Sequence, residues 1–153
     1  MDKIIQRKVY LTLLIAMSIT VLSFLLSLTQ NAYYINDEEE SIGSLGLIAL
    51  LLGFFGISGG SGIAWFANPC LFMSFIHLKR DNLRKAKIFS FISVILGLSF
   101  LFFDKVISNE GGAKSEITSY GIGYWLWLSS LTSNFLGIII AEKLIKSTAK
   151  SSL

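Results

Sequence analysis

The sequence has few charged residues and almost none of the residue types that build redox or metal centres. Only 15% of its 153 residues are charged, against about 25% in an average soluble domain. The single cysteine, Cys70, excludes an internal disulfide and a dithiol redox centre. The single histidine, His77, excludes the usual multi-histidine metal sites. The sequence also contains no CxxC pair, phosphate-binding glycine loop or acidic metal cluster, so we expect no cofactor.

Hydrophobic residues, by contrast, make up 53% of the chain and give it a mean hydropathy of +0.66. They are concentrated in uncharged runs, which cover residues 9–29, 41–78, 88–103 and 117–141. A helix needs roughly 20 apolar residues to cross a hydrocarbon core of about 30 Å. The pattern therefore predicts an all-α integral membrane protein in which residues 1–153 form one helical bundle.

The basic residues predict the orientation of the chain in the membrane. Eleven of the thirteen Lys and Arg residues lie in three polar segments, residues 1–8, 79–87 and 142–153. The segments 30–43 and 104–118 are acidic on balance. Because cytoplasmic loops carry the excess of Lys and Arg, the sequence predicts four crossings with both termini in the cytoplasm. The predicted spans are residues 9–29, 62–78, 88–104 and 119–141.

Tyrosine and tryptophan residues give independent support for this orientation, since both favour the interface between membrane and water. Several fall near the predicted outer ends of the spans: Tyr33, Tyr34, Trp65, Tyr120, Tyr124, Trp125 and Trp127. The aromatic residues and the charges thus agree on which ends of the spans face outward.

Residues 44–78 are too many for one ordinary span, because a straight helix of this length measures about 52 Å. A second full crossing would place the basic 79–87 segment outside, against the charge pattern. We therefore expect residues 44–58 to form a short helix that lies on the outer side or re-enters the bilayer, followed by a glycine-rich turn. Pro69 predicts a kink in the next span, and the Asn68 side chain is placed to satisfy a backbone group that the kink frees.

The stretch Gly56-Ile57-Ser58-Gly59 resembles the G-x-S-G motif of the rhomboid intramembrane proteases. In that family the serine needs a histidine base within hydrogen-bond reach. The predicted topology puts His77 at the far end of its helix, more than about 20 Å from Ser58, and four spans are fewer than the six of rhomboids. We therefore predict no enzymatic activity, with Ser58 as the candidate nucleophile if the protein is an intramembrane serine hydrolase after all.

Two groups of side chains are candidates for binding. Aromatic and amide residues in the spans are candidates for contacts with a ligand or a partner: Trp65, Asn68, Tyr124, Trp127 and Asn134. Buried amides in lipid usually hold helices together, so we expect structural roles for the two asparagines first. The basic residues of the 79–87 segment are candidates for contacts with anionic lipid or a cytoplasmic partner: Lys79, Arg80, Arg84, Lys85 and Lys87.

No catalytic or ion-coupling residue lies well inside a predicted span, whereas every span carries small residues suited to close helix packing, such as Ser90 and Gly97. The first functional prediction is therefore a non-enzymatic interaction or accessory subunit, of the assembly, immunity or regulatory type, in the bacterial cytoplasmic membrane. The alternative is a binder or carrier of lipid or a small apolar molecule at the outer leaflet. Its site would lie between the short helix and Trp65, Tyr124 and Trp127.

The expected partners are membrane lipid and either another membrane protein or a second copy of the chain. The pI near 9.0 follows from the predicted cytoplasmic segments, so we expect no nucleic-acid partner. An enclosed apolar cavity next to the short helix favours the lipid-binding alternative, whereas a solidly packed junction argues against it.

Overall fold

The computed structural model describes residues 3–35, 44–107 and 113–151, with residues 58, 59 and 148–151 described as backbone only. The described chain is mostly helical, and four of its helical stretches are long and apolar enough to cross a membrane. These stretches are Lys3–Leu28, Ser61–Lys79, Leu83–Phe102 and Ile122–Ser147. The prediction of a helical protein with four membrane-length helices is therefore confirmed.

The described chain contains both α-helices and 3-10 helices. The α-helices are α1 (Lys3–Leu28), α2 (Gly46–Leu52), α3 (Ala67–Lys79), α4 (Leu83–Ser99) and α5 (Ile122–Ser151). Two consecutive 3-10 helices, Gly53–Gly59 and Ser61–Phe66, connect α2 to α3, and a third, Phe100–Phe102, extends α4. Residues 53–66 are called the 3-10 segment below. The short helix predicted at residues 44–58 is present as α2 and the first half of this segment.

Helix α5 is central to the bundle, since it packs along both α1 and α4, while α3 packs mainly on α4. Gly123 at the start of α5 donates its backbone N–H to the carbonyl of Asn31, just beyond the end of α1, over 3.0 Å. Helices α1 and α5 therefore run antiparallel. Lys87 near the start of α4 pairs with Glu142 toward the end of α5. The α3–α4 turn thus lies at the same end of the bundle as the start of α1 and the end of α5.

Hydroxyl groups link α3 to α4 inside the bundle. Ser74 donates to the carbonyl of Ala86 over 3.1 Å, and Ser93 donates to the carbonyl of Ala67 over 3.0 Å. All four residues are fully buried. Helices in lipid associate by close approach at small residues, helped by such hydrogen bonds. The two serines and two alanines therefore hold α3 against α4.

Just before Pro69 the helix changes from 3-10 to α winding, and the kink expected there stays a prediction. Residues Ser61–Phe66 are 3-10 helix, the α-helix begins at Ala67, and Pro69 lies in its first turn. Because the 3-10 helix continues directly into α3, the acceptor for an N–H at position 69 would be the carbonyl of Trp65, and proline has no N–H to donate to it. As expected, the side chain of Asn68 satisfies the carbonyl one turn earlier, since its Nδ2 donates to the carbonyl of Trp65 over 3.1 Å.

A small antiparallel sheet lies at the end of the bundle opposite the α3–α4 turn. Its strands are β1 (Tyr33–Ile35), β2 (Lys105–Ile107) and β3 (Lys114–Tyr120), in the order β1-β3-β2. Residue Tyr33 pairs with Tyr120, and Val106 pairs with Ser115. The charge pattern predicts only polar segments between the spans here, so the sheet is an addition to the predicted all-α fold.

The sheet also moves two of the predicted span boundaries. The fourth membrane-length helix begins at Ile122 rather than at residue 119, because β3 continues to Tyr120. The third ends at Phe102 rather than at residue 104. Between β3 and α5 only a glycine fits, since a Cβ at Gly121 would overlap the carbonyl oxygen of Asn31. Gly121 is therefore both the link between β3 and α5 and the point where this link contacts the backbone of Asn31.

Candidate functional site

A cavity of about 770 Å³ separates α2 and the 3-10 segment from the rest of the bundle. Its walls come from α1, α2, the 3-10 segment, the first turns of α5 and the sheet. Pockets that hold small molecules measure roughly 300–1,000 Å³. The volume is therefore sufficient for a ligand.

Most of the side chains that the sequence singles out for ligand or partner contacts meet at this cavity. Trp65, Asn68, Tyr124 and Trp127 all line it. Asn134 does not: its Nδ2 donates to the hydroxyls of Ser74, over 2.9 Å, and Ser90, over 3.0 Å, in the interior of the bundle. Both of these bonds hold α5 to its neighbours.

A chain of hydrogen bonds shapes one wall of the cavity. The indole Nε1 of Trp65 donates to the carbonyl of Leu50 over 2.7 Å. Asn68 donates to the Trp65 carbonyl from Nδ2, and its Oδ1 accepts from Nε1 of Trp127 over 2.8 Å. The chain thus connects α2, the 3-10 segment, α3 and α5. The indole nitrogens of Trp65 and Trp127 and both polar atoms of the Asn68 amide therefore bond to protein groups.

The hydrogen bond to Leu50 has a local cause in the shortness of α2. The last four carbonyls of an α-helix have no intrahelical partner, and Leu50 lies within the last turn of α2. Gly53, which follows α2, lies directly under the Trp65 ring: a Cβ there would come within 2.9 Å of the indole Cδ1. A glycine at this position lets the indole reach the carbonyl.

Tyr124 closes the cavity on the side of α5. Its ring is 1% exposed, and its hydroxyl donates to the carbonyl of Gly97 over 3.1 Å. The ring lies 5.7 Å from that of Phe100 and 6.0 Å from that of Trp127, measured between centroids. Aromatic pairs at such distances add stabilisation beyond simple burial, so this wall is well packed.

Two glycines allow the 3-10 segment to fold back on itself. Gly60, between the two 3-10 helices, has a φ of +93°, a conformation that L-residues with side chains rarely adopt. Gly62 lies against the backbone of Gly56 and Ile57, where a Cβ would overlap backbone atoms. The segment therefore forms a tight, thin wall over the cavity, in place of the simple turn that the sequence predicts.

The lining of the cavity is uncharged. Its described residues include no aspartate, glutamate, lysine, arginine or histidine. The most acidic groups there are tyrosine hydroxyls, and burial raises the pKa of the Tyr33 phenol above its usual value of 10.0. The described lining therefore presents mainly apolar side chains, together with a few hydroxyl and amide groups.

The side chain of Ser58, the candidate nucleophile, lies outside the described part of the structure. Its backbone lies in the first 3-10 helix, before α3 begins. His77 lies in the last turn of α3, where its ring stacks on that of Phe89 at a centroid distance of 5.3 Å. The absence of enzymatic activity stays a prediction.

The basic residues near the α3–α4 turn lie at the end of the bundle opposite the sheet and the cavity. Four of the side chains predicted to contact anionic lipid or a partner are exposed: Lys79, Arg80, Arg84 and Lys85. The fifth, Lys87, is half-buried and pairs with Glu142 over 2.7 Å, and Glu142 also accepts Lys146 over 2.8 Å. Lys87 therefore contributes to packing of α4 on α5 as well as to surface charge.

Several residues of the cavity escape sequence reasoning. The acceptor for Trp65 is a backbone carbonyl, which no side-chain pattern reveals. Val106 and Ile107 of β2 line the cavity from the sheet, although they belong to a polar segment in the sequence. The apolar pair Val106-Ile107 between charged residues is the one signal that points to a buried strand there.

Comparison with known proteins gives no relative from which a function can be transferred. No family model, curated protein or solved structure matches this chain. What can be said of its function therefore follows from its own residues and geometry.

Proposed function

We propose that the protein binds a lipid or another small apolar molecule in the cavity between α2 and the Trp65, Tyr124 and Trp127 cluster. The observation that carries the proposal is the cavity itself, about 770 Å³ in volume and uncharged in its described lining. An apolar molecule that enters from water gains about 25 cal/mol for each Å² of its surface that the cavity buries. This is the alternative function from the sequence, and the interaction or accessory role remains a prediction.

The hydrogen bonds around the cavity support an apolar ligand rather than a polar one. A buried donor or acceptor without a partner costs about 1–3 kcal/mol, so a site built for a polar ligand usually presents such groups. Here the indoles of Trp65 and Trp127 and the hydroxyl of Tyr124 each bond to a protein acceptor. A hydrocarbon ligand fills the space without competing for these bonds.

The charge distribution supports the predicted orientation in a bacterial cytoplasmic membrane. The end with the α3–α4 turn carries the exposed residues Lys79, Arg80, Arg84 and Lys85, and cytoplasmic surfaces hold such an excess. In this orientation the cavity and the sheet belong to the outer side. The four basic residues then contact the anionic headgroups of the inner leaflet at about 1 kcal/mol per charge.

The binding proposal is tested by filling the cavity. Ala49 of α2 lines it, whereas Leu51 of the same helix is 57% exposed and is not part of the lining. The variant Ala49→Phe fills the cavity and Leu51→Phe is its matched control. Native mass spectrometry of detergent-released protein should show a bound lipid or apolar adduct on the wild type and on Leu51→Phe, and none on Ala49→Phe. Equal adducts on both variants would rule out this site.

A further inference from the structure

The exposure of the lining residues shows where the cavity opens. Most of its lining is buried or half-buried, but Leu52 and Phe55 are 53% and 66% exposed. Leu52 is the last residue of α2, and Phe55 lies in the first turn of the 3-10 segment. A residue that both lines a cavity and is exposed lies at its rim. The opening is therefore beside the junction of α2 and the 3-10 segment.

The surroundings of this rim are apolar. Leu47, Leu51 and Phe54, on the same two helices, are exposed as well. Five exposed apolar side chains within residues 47–55 are typical of a surface that faces a membrane or a partner, and the neighbouring helix α1 is long and apolar enough to cross a bilayer. The opening therefore faces the side of the bundle that contacts lipid, and the bilayer is the nearest source of a ligand.

The described lining of the cavity has hydroxyl and amide groups but no charged group that could pair with an ionised headgroup. An ionised phosphate or carboxylate taken out of water needs paired charges or strong hydrogen bonds. The amide of Asn68, which is 5% exposed, is bonded through both Nδ2 and Oδ1 to the two tryptophans. A lipid that enters thus leaves its polar part outside.

We propose that the occupant is one hydrocarbon chain of a membrane lipid, which enters sideways past Leu52 and Phe55 while its headgroup stays outside the cavity. This inference rests on the proposed function and adds the ligand class and the route of entry. Selection depends on the chain alone, so lipids with different headgroups and equal chains bind equally.

The three tryptophans of the chain provide the measurement. Trp65 and Trp127 line the cavity, whereas Trp125 does not and is 49% exposed. In the variant Trp125→Phe all remaining tryptophan fluorescence comes from the cavity wall. Bromine atoms on a lipid chain quench tryptophan on contact, so phosphatidylcholine vesicles with brominated chains report whether a chain reaches the wall.

On the Trp125→Phe background, we expect brominated chains to quench the fluorescence in the Leu51→Phe variant and the quenching to be largely lost in Ala49→Phe. Ile107→Phe fills the cavity from the sheet and should cause the same loss of quenching, whereas Ile107→Leu keeps the volume of the native side chain and should leave the quenching unchanged. If Ala49→Phe does not fold, Ile107→Phe serves as the second filling variant. Equal quenching of filled and control variants overturns the inference.

Two further arms separate this inference from the proposed function. Bromobenzene, a small apolar molecule, is added to the same variants in vesicles without brominated lipid. In one outcome Ala49→Phe abolishes quenching by bromobenzene but does not change quenching by brominated lipid. That result overturns the acyl-chain inference and leaves the proposal of an apolar binding site standing. No effect of Ala49→Phe with either probe overturns both. Brominated phosphatidylglycerol should quench as strongly as brominated phosphatidylcholine, and a clear preference between them contradicts selection by the chain alone.

Discussion

The indole nitrogen of Trp127 donates a hydrogen bond to Oδ1 of Asn68 over 2.8 Å, joining two residues that are 59 positions apart in the sequence. The bond connects the second turn of α5 to the first turn of α3, and Asn68 passes the connection on to Trp65. Side chains that the sequence marks separately as interfacial aromatics and as a buried amide thus act as one unit. The unit holds the cavity wall in place.

This relationship predicts that Trp127→Phe destabilises the protein. The change keeps most of the ring and removes the donor, so Oδ1 of Asn68 loses its partner at a cost of about 1–3 kcal/mol. Unfolding of the detergent-solubilised protein, followed by circular dichroism, measures the loss. Trp125→Phe is the control, since Trp125 is 49% exposed and none of its described contacts is a hydrogen bond of this wall. Equal stability of the two variants would contradict the role given to the bond.

A second prediction concerns the amide inside the bundle. Asn134→Leu keeps the approximate size of the side chain and removes the hydrogen bonds to Ser74 and Ser90. Such bonds in membrane proteins contribute about 0.6–2 kcal/mol each, so the free energy of unfolding should fall by that order. Thr132→Val is the control on the same helix, because the Thr132 hydroxyl bonds to the carbonyl of Leu128 within α5. A loss in Thr132→Val as large as in Asn134→Leu would argue against interhelical stabilisation.

A third prediction distinguishes two glycines of the 3-10 segment. A Cβ at Gly62 would overlap the backbone of Gly56 and Ile57, which cannot move aside, whereas a Cβ at Gly56 meets its nearest atom at 3.4 Å. Gly62→Ala should therefore destabilise the protein by about 1–3 kcal/mol, as overpacking of a close contact does. Gly56→Ala should be nearly neutral in the same unfolding experiment. A larger loss of stability in Gly56→Ala than in Gly62→Ala would show that the backbone at Gly62 is not held close to that of Gly56 and Ile57.

A fourth prediction concerns orientation. With Cys70 replaced by alanine, a cysteine at position 84 should react with a membrane-impermeant maleimide only from the cytoplasmic side. A cysteine at position 105 should react only from the opposite side. Both native residues are exposed; Arg84 lies in the first turn of α4, and Lys105 is the first residue of β2, beyond the other end of that helix. Labelling of both positions from one side would refute the predicted topology.

Much of the bundle could be predicted from the sequence, because membrane-length apolar runs and blocks of basic residues are signals of many residues each. The sheet could not, since β1 and β2 are three residues long and so short a strand leaves hardly any alternation to read. At the site, too, some features can be read from residue types and others depend on single backbone groups. Trp65, Asn68, Tyr124 and Trp127 could be named as candidates by residue type, but the contribution of Leu50 is a backbone carbonyl. The cavity volume depends on how α2 packs against α1, which no local pattern specifies.

The winding of the 3-10 segment has a consequence for its length. A 3-10 helix rises about 2.0 Å per residue, against 1.5 Å in an α-helix. The two 3-10 helices, of seven and six residues, are therefore about 6 Å longer along their contour than the same residues would be as α-helix. Because the segment folds back at Gly60, the added length extends the wall over the cavity and does not separate α2 from α3. Rewinding both helices as α-helix would shorten that wall and leave less of the cavity covered.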